Sequence, residues 1–388
     1  MIEATRKLDL ENLTILAVDD MKSMRLTIRK MLRHLNIGKH LKFAENGREG
    51  LNVLQSSDVD LVILDWRMPL ENGGRMLEKI RNDKKLRDLP VIMVSAESER
   101  DIVMEAAETE IDGYLLKPLT LNALDNKIRM VVDRVNYPDR STVLIREARA
   151  LEEAGDLPGA IRKIKQALAL KPSASRLLRQ LGLLFRQTGQ NEKAETALKK
   201  AAKVNLQDAT TRMVLGDMYL QRQDLVRAAR YYLEVLSLTS RFSENAIQLG
   251  ELLLKNNHKK LAFDLFSKVI SQSRKNMADR QKIVDICLSY DEFEFPKMLL
   301  ESMIKEFPNK YDMVYKAGEV YVLNGEMQKA LELFTHVERH QSSRLDVKLE
   351  IAKIYLDTDQ VYKADEYLNK VLVKEPDNVE ALALRRAI

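Results

Sequence analysis

Asp60-Leu61-Val62-Ile63-Leu64-Asp65-Trp66-Arg67-Met68-Pro69 is the stretch that decides the fold. Four apolar residues in a row, two of them β-branched, read as a strand buried on both faces, as in parallel sheets. A carboxylate, Asp65, ends the run, and a proline follows four residues later. Ligands of open α/β sheets bind at the C-terminal ends of strands, so an acid here points to chemistry. Taken alone, Asp65 could equally cap or turn the strand.

The flanking sequence extends the pattern. Leu13 to Val18 reads as a strand ending in Asp19-Asp20, followed by an amphipathic helix from about Met21 to Leu35. Leu41 to Ala44 is a second strand, and Gly47 to Leu54 and Gly73 to Ile80 are helical. Pro90 to Val94 is a strand ending at Ser95, with helix over about Glu99 to Ala107. Gly113 to Leu116 is the fifth strand, ending in Lys117-Pro118, and a helix runs from about Leu121 to Val135. Alternating strands and helices imply βαβ units and a parallel sheet. Asp19, Asp20, Asp65, Ser95 and Lys117 all fall at C-terminal strand ends, so they should converge on one sheet edge. Crowded carboxylates repel unless a hard cation sits among them, and oxygen ligands suit Mg²⁺. A lysine and a hydroxyl beside them suit the oxygens of a transferred phosphoryl group.

Asp19-Asp20, Asp65-Trp66-x-Met68-Pro69, Ser95-Ala96-Glu97 and Gly113-Tyr114-Leu115-Leu116-Lys117-Pro118 closely resemble the receiver domain of two-component response regulators, and Asp20 followed by Met24-Arg25 fits its chemotaxis members. The resemblance covers roughly residues 1–135. It implies a flavodoxin-like sheet of order 2-1-3-4-5. It also implies that Asp65 is the phosphoacceptor, charged by a sensor histidine kinase. Asp20, Asp65 and the carbonyl of Arg67 would ligate Mg²⁺, with Asp19 acting through water. Lys117 would pair with the phosphoryl group and Ser95 hydrogen-bond it, with Tyr114 as aromatic switch and a cis peptide before Pro118. Arg67 and Glu97 would flank the path of hydrolytic water and modulate dephosphorylation.

Composition agrees with a folded two-domain chain: 388 residues, 45% hydrophobic and 31% charged. No apolar run approaches a membrane span, and Met1 to Glu11 has no secretory signal, so cytoplasmic residence in a bacterial cell is expected. The single cysteine, Cys287, excludes an intrachain disulfide. The net charge of +5 is uneven: 22 basic against 23 acidic residues in 1–135, 14 against 8 in 136–208, and 27 of each in 209–388. A local excess suits an acidic partner segment better than general nucleic-acid binding.

Asn136 to Ser141 breaks the helical pattern, so 136–140 is read as a linker, with Ser141 or Thr142 capping the next helix. Beyond it Ala160, Ala194, Ala228, Ala262, Ala330 and Ala364 share a register of 34 residues, with Pro296 in the vacant slot. Bulky residues follow four later, from Ile164 to Leu368, and small ones, such as Gly182, Gly216, Gly250 and Gly318, precede by twelve. Small residues let helices approach and large ones fill the gap, which describes two helices per repeat stacked in a solenoid. The period resembles the tetratricopeptide repeat. Seven repeats are expected over 141–378, with a capping helix over 379–388. Pro296 should start its helix late or kink it, and Cys287 should be a buried, inert thiol.

By the same resemblance, the repeats bind an unidentified protein or peptide, with the first helix of each repeat lining the groove. That places Arg176, Arg179 and Arg186 on one helical face, beside a floor of Met213, Leu220, Ile247, Leu254, Leu288, Tyr315, Val322, Leu349 and Leu356, mixed with Asp217, Glu251 and Glu319. The chain therefore reads as a response regulator with a protein-binding output and no enzymatic activity beyond its own phosphotransfer and dephosphorylation. A constitutive scaffold or phosphate sink, and a nucleic-acid-binding regulator using 141–208, are the alternatives; an aromatic-poor basic patch disfavours the latter. The receiver is expected to dock on repeat one or two when unphosphorylated and to loosen when phosphorylated.

Overall fold

The computed structural model describes residues 7–96, 111–272 and 276–386. Two compact units divide the chain, Met1–Leu215 and Gly216–Ile388. The helix expected at 99–107 lies outside the described residues.

The first unit opens with a five-stranded parallel sheet of order β2-β1-β3-β4-β5. Its strands are β1 (Thr14–Val18), β2 (His40–Ala44), β3 (Leu61–Asp65), β4 (Val91–Ser95) and β5 (Gly113–Leu116). Helices α1 (Lys22–His34), α2 (Gly47–Ser56), α3 (Gly73–Asn82) and α4 (Leu121–Asn136) connect and flank them. All five residues of β3 are buried, as are all five of β4. Side chains alternate across a strand, and here the alternation builds two cores. Ile15, Ala17, Ile63, Ile92 and Val94 pack with α1 and α4. Leu16, Val18, Val62, Leu64 and Met93 pack with α2 and α3. The central strands β3 and β4, buried on both faces, are open to solvent only at their ends, which is where the polar residues stand.

The α4 helix runs through Asn136, and the next begins at Arg140. The connection is therefore shorter than 136–140. Its cap is Asp139, whose side chain accepts the Thr142 N–H, in place of Ser141 or Thr142. Asp139 also pairs with Lys171 at 2.7 Å, and the lysine and the amide hold its carboxyl down near 2.

Helices then come in pairs. In the first unit lie α5 (Arg140–Glu153), α6 (Leu157–Leu170), α7 (Ser175–Gln187) and α8 (Asn191–Val204). The unit boundary falls inside α9 (Ala209–Gln221). The second unit continues with α10 (Leu225–Leu238), α11 (Ser243–Lys255), α12 (Lys259–Gln272), α13 (Met277–Ser289) and α14 (Glu294–Glu306). It ends with α15 (Tyr311–Leu323), α16 (Met327–His340), α17 (Leu345–Asp357), α18 (Val361–Leu372) and α19 (Val379–Arg386). The pairing follows the register read from sequence, and α19 follows the last pair. Pro296 sits at the third position of α14, one residue nearer the helix start than the alanines of the other repeats, so that helix begins late. Cys287 is buried, and burial pushes its thiol up to about 12.

The small–large rule of the repeats is visible in contacts. A Cβ on Gly250 would stand 2.2 Å from Cε1 of Phe266, which is fully buried. Gly182 meets Leu198, Gly216 meets Tyr232, and Gly318 meets Phe334 in the same way. Alanine is the better helix former by about 1 kcal/mol, so helix propensity alone favours Gly250→Ala. Close approach reverses the sign: the substitution is expected to destabilise by roughly 2–3 kcal/mol. Phe266→Leu in the same chain should recover part of that loss, as a coupling of about 1 kcal/mol or more in a double-mutant cycle. Urea unfolding measures it; Gly250→Ala as stable as the parent would break the rule.

Candidate functional site

The sheet brings Asp19, Asp65 and Lys117 together. Lys117 follows β5, and its backbone N–H donates to the Ser95 carbonyl at 2.8 Å. Its Nζ lies 2.8 Å from Asp19 Oδ2 and 2.8 Å from Asp65 Oδ1. Asp19 Oδ1 accepts the Met21 N–H at 2.8 Å. Asp19 and Asp65 are buried, while Asp20 is exposed. Ligand oxygens of Asp19, Asp20 and Asp65 lie within 4.8 Å of one another. Three carboxylate oxygens at that spacing form an acidic pocket that could hold a hard divalent cation.

Electrostatics follow from burial. Desolvation raises the Asp65 carboxyl to about 6; Lys117 opposes the rise, and the Asp19 and Asp20 charges add to it. Burial works against the Lys117 ammonium, but hydrogen bonds and charge from Asp19 and Asp65 hold it above its ordinary value. The lysine is thus a charged bridge between two acids.

Ser95 is buried at the end of β4, and Tyr114 is half-buried against the α2–α3 side of the sheet. Arg67 is exposed, and Trp66 is half-buried. The peptide bond between Lys117 and Pro118 is cis. Glu97 lies outside the described residues, and with it the pairing expected of Arg67 and Glu97.

Two supports were not assigned from sequence. Arg25 on α1 donates from Nη1 to the carbonyls of Asp19 (2.8 Å) and Asp20 (3.2 Å), and pairs with Glu45 through Nη2. It ties the turn carrying two of the three acids to the start of the next loop. Gly73 begins α3 so close to β3 that a Cβ there would stand 2.1 Å from the Asp65 carbonyl oxygen. The Asn72 cap followed by two glycines is the sequence signal for such a close approach.

The residues assigned to a repeat groove fare differently. Arg179 is not free to clamp a partner: its Nη1 lies 2.9 Å from both oxygens of Asp208, which is buried. A buried carboxylate requires such a cation. Arg176 and Arg186 are half-buried, and Arg176 has interactions of its own. Met213, Ile247, Leu254 and Leu349 are buried, so they fill helix packing instead of forming an open floor. Leu220, Leu288, Tyr315, Val322 and Leu356 are half-buried. Asp217 accepts the Tyr232 hydroxyl at 2.7 Å; Glu251 is exposed and Glu319 half-buried.

The response regulator receiver domain profile matches residues 15–129. The Chemotaxis protein CheY of Pseudomonas aeruginosa is 40% identical over 122 residues, which are 31% of this chain and 98% of that protein. The chain belongs to the response regulator receiver family. Chemotaxis protein CheY-3 of Vibrio cholerae is 37% identical over 125 residues, 32% of this chain and 95% of its own. The tetratricopeptide repeat profile matches 145–194 and 179–241. A solved tetratricopeptide repeat protein from Parabacteroides merdae is 17% identical over 63% of this chain and 96% of its own, with a TM-score of 0.33. The receiver makes this a two-component response regulator, and the repeats suggest protein binding. Neither part is a typical enzyme family. Among the described residues no helix is long and apolar enough to cross a membrane.

Proposed function

We propose that Asp65 of this response regulator accepts a phosphoryl group from a sensor histidine kinase, and that the repeats hold a partner protein whose binding depends on that event. The observation that carries the reading is the Lys117 ammonium bridging Asp19 and Asp65 at 2.8 Å each. An ionised Asp65 oxygen attacks phosphorus; the bond from phosphorus to the donor imidazole breaks as the acyl phosphate forms. Lys117 is already placed to pair with the incoming phosphoryl oxygens. Asp19, Asp20, Asp65 and the Arg67 carbonyl would hold Mg²⁺, which supplies positive charge against the transferred group. Ser95 hydrogen-bonds the phosphoryl group, and Tyr114 follows it as the switch. Bacterial cytoplasm is the compartment this reading requires.

The contacts between receiver and repeat one stand away from the phosphorylation site. Within the first unit, the loop before β4 meets α5, with Arg149 on Asp88 at 3.0 Å and Arg87 on Glu153 at 2.5 Å. That loop lies at the N-terminal ends of the strands, away from Asp65. Release of repeat one on phosphorylation therefore has to weaken these pairs from a distance.

Trp66 is the only tryptophan and neighbours Asp65. Mg²⁺ with beryllofluoride is expected to change its emission, and pull-downs from the native host with and without beryllofluoride should recover the partner in different yield. Unchanged emission and absent phosphoryl uptake from a small phosphodonor would overturn the phosphoacceptor reading of Asp65. Equal partner recovery would leave a constitutive scaffold.

A further inference from the structure

Two histidines of the second unit form a pair that the receiver chemistry does not use. His336 and His340 are four residues apart at the C-terminal end of α16, so both leave the same face of that helix, one turn apart. Both are exposed, and their ring centroids are 4.6 Å apart. No other two histidines of the chain have this spacing.

One hydrogen bond fixes which nitrogen is available. His340 Nδ1 lies 2.9 Å from the His336 carbonyl oxygen. A carbonyl only accepts, so Nδ1 carries the hydrogen, and in the neutral ring the lone pair sits on Nε2. Metal-ligating histidines have this arrangement: the second ring nitrogen donates to a backbone carbonyl or a carboxylate, which sets tautomer and orientation. Helix capping does not call for the bond. A helix leaves its last four carbonyls free, and His336 precedes them in α16.

The His340 ring is also held from one side. Tyr311, at the start of α15, stacks on it with centroids 5.1 Å apart and planes at 21°. The same tyrosine ring stands 6.0 Å from that of His336. A ring already held in place loses less freedom when it takes a ligand.

The donor type selects the ligand. Imidazole nitrogens suit late first-row divalent ions, with affinity rising to Cu²⁺. A hard ion prefers carboxylate oxygens, such as those of Asp19, Asp20 and Asp65. Among the described residues no third ligand group stands with the histidine pair. Two imidazoles would therefore hold the ion, and water would complete its coordination.

We propose that His336 and His340 chelate a divalent late-transition-metal ion, of the Cu²⁺, Ni²⁺ or Zn²⁺ class, across one turn of α16.

The probe is Cu²⁺, titrated into the full chain by equilibrium dialysis with excess Mg²⁺ present to compete at the carboxylate pocket. One site tighter than the rest is expected, with the nitrogen hyperfine splitting of two imidazoles in its EPR spectrum. His336→Ala and His340→Ala should each weaken that site about tenfold or more. His258→Ala removes an exposed histidine with no such partner and should leave it unchanged. Thr335→His combined with His336→Thr keeps both imidazoles but turns one of them about 100° round the helix. That variant should lose the site as the alanine variants do, with circular dichroism like the parent's. Equal Cu²⁺ binding by the parent and His340→Ala, or by the parent and the shifted variant, means an adventitious ion only and overturns the proposal. So does a loss with His258→Ala as large as that with His340→Ala.

Discussion

Asp65→Asn is expected to abolish phosphoryl uptake and, in the absence of Mg²⁺, to make the receiver more stable at neutral pH. The first effect follows from chemistry, since a carboxamide is no nucleophile toward phosphorus at this site. The second follows from burial. Asp65 is held at about 6 against an ordinary 3.8. Below 3.8 the carboxyl is protonated in both folded and unfolded chains, and its ionisation costs nothing. As pH rises from 3.8 to 6 the unfolded chain gives up its proton first, so folded stability falls through that window. Above it the loss is complete, on the order of 1–3 kcal/mol. Asparagine does not titrate, yet its carbonyl still accepts from Lys117. Parent and variant should therefore unfold together near pH 4 and diverge by pH 7, the variant melting several degrees higher in EDTA. Saturating Mg²⁺ should narrow the gap, because the cation binds the folded parent and offsets the charge. Thermal melts at several pH values, with phosphodonor labelling of the same samples, check both halves. A variant that melts lower throughout, or still takes label, contradicts them.

The receiver was legible because its signals are local. A strand buried on both faces must be an apolar run, and Leu61 to Leu64 has no other economical place. The acids at such strand ends are read directly, and alternation puts them on one edge. Arg25 was visible as a residue but not as a clamp, because its partners are backbone carbonyls and Glu45, whose nearness depends on how α1 crosses the sheet. The repeats split the same way. Register fixed which residue is small and which large, and Gly250 does face Phe266. Register also put Arg176, Arg179 and Arg186 on one face, but a face says nothing of what already sits there. Asp208, 29 residues beyond Arg179 and in the next repeat, takes that guanidinium.

Gly73→Ala is expected to damage the site more than any other single methyl group added to the receiver. The added Cβ would stand 2.1 Å from the Asp65 carbonyl oxygen, 3.0 Å from its carbonyl carbon and 3.1 Å from Trp66 Cα. All three are backbone atoms at the end of β3, so no side chain can swing aside. Either α3 must move away, breaking the Gly73 N–H bond to the Trp66 carbonyl at 3.0 Å, or the end of β3 must move and carry Asp65 off Lys117. Overpacking of this kind costs roughly 1–3 kcal/mol or more. A displacement of about 1 Å at a reacting group costs on the order of 100-fold in rate. Gly74 supplies the control, since its Cβ would meet the Trp66 ring at 3.3 and 3.5 Å and the Asn72 Oδ1 at 3.6 Å, all side-chain atoms in near-ordinary contact. Gly74→Ala should therefore keep phosphoryl uptake within a few-fold of the parent, while Gly73→Ala loses it by about two orders of magnitude and unfolds at lower urea. If the two variants label alike, the approach of α3 to the Asp65 carbonyl does not hold the phosphoacceptor in place, and the Arg25 clamp on the other side of the site becomes the element to test.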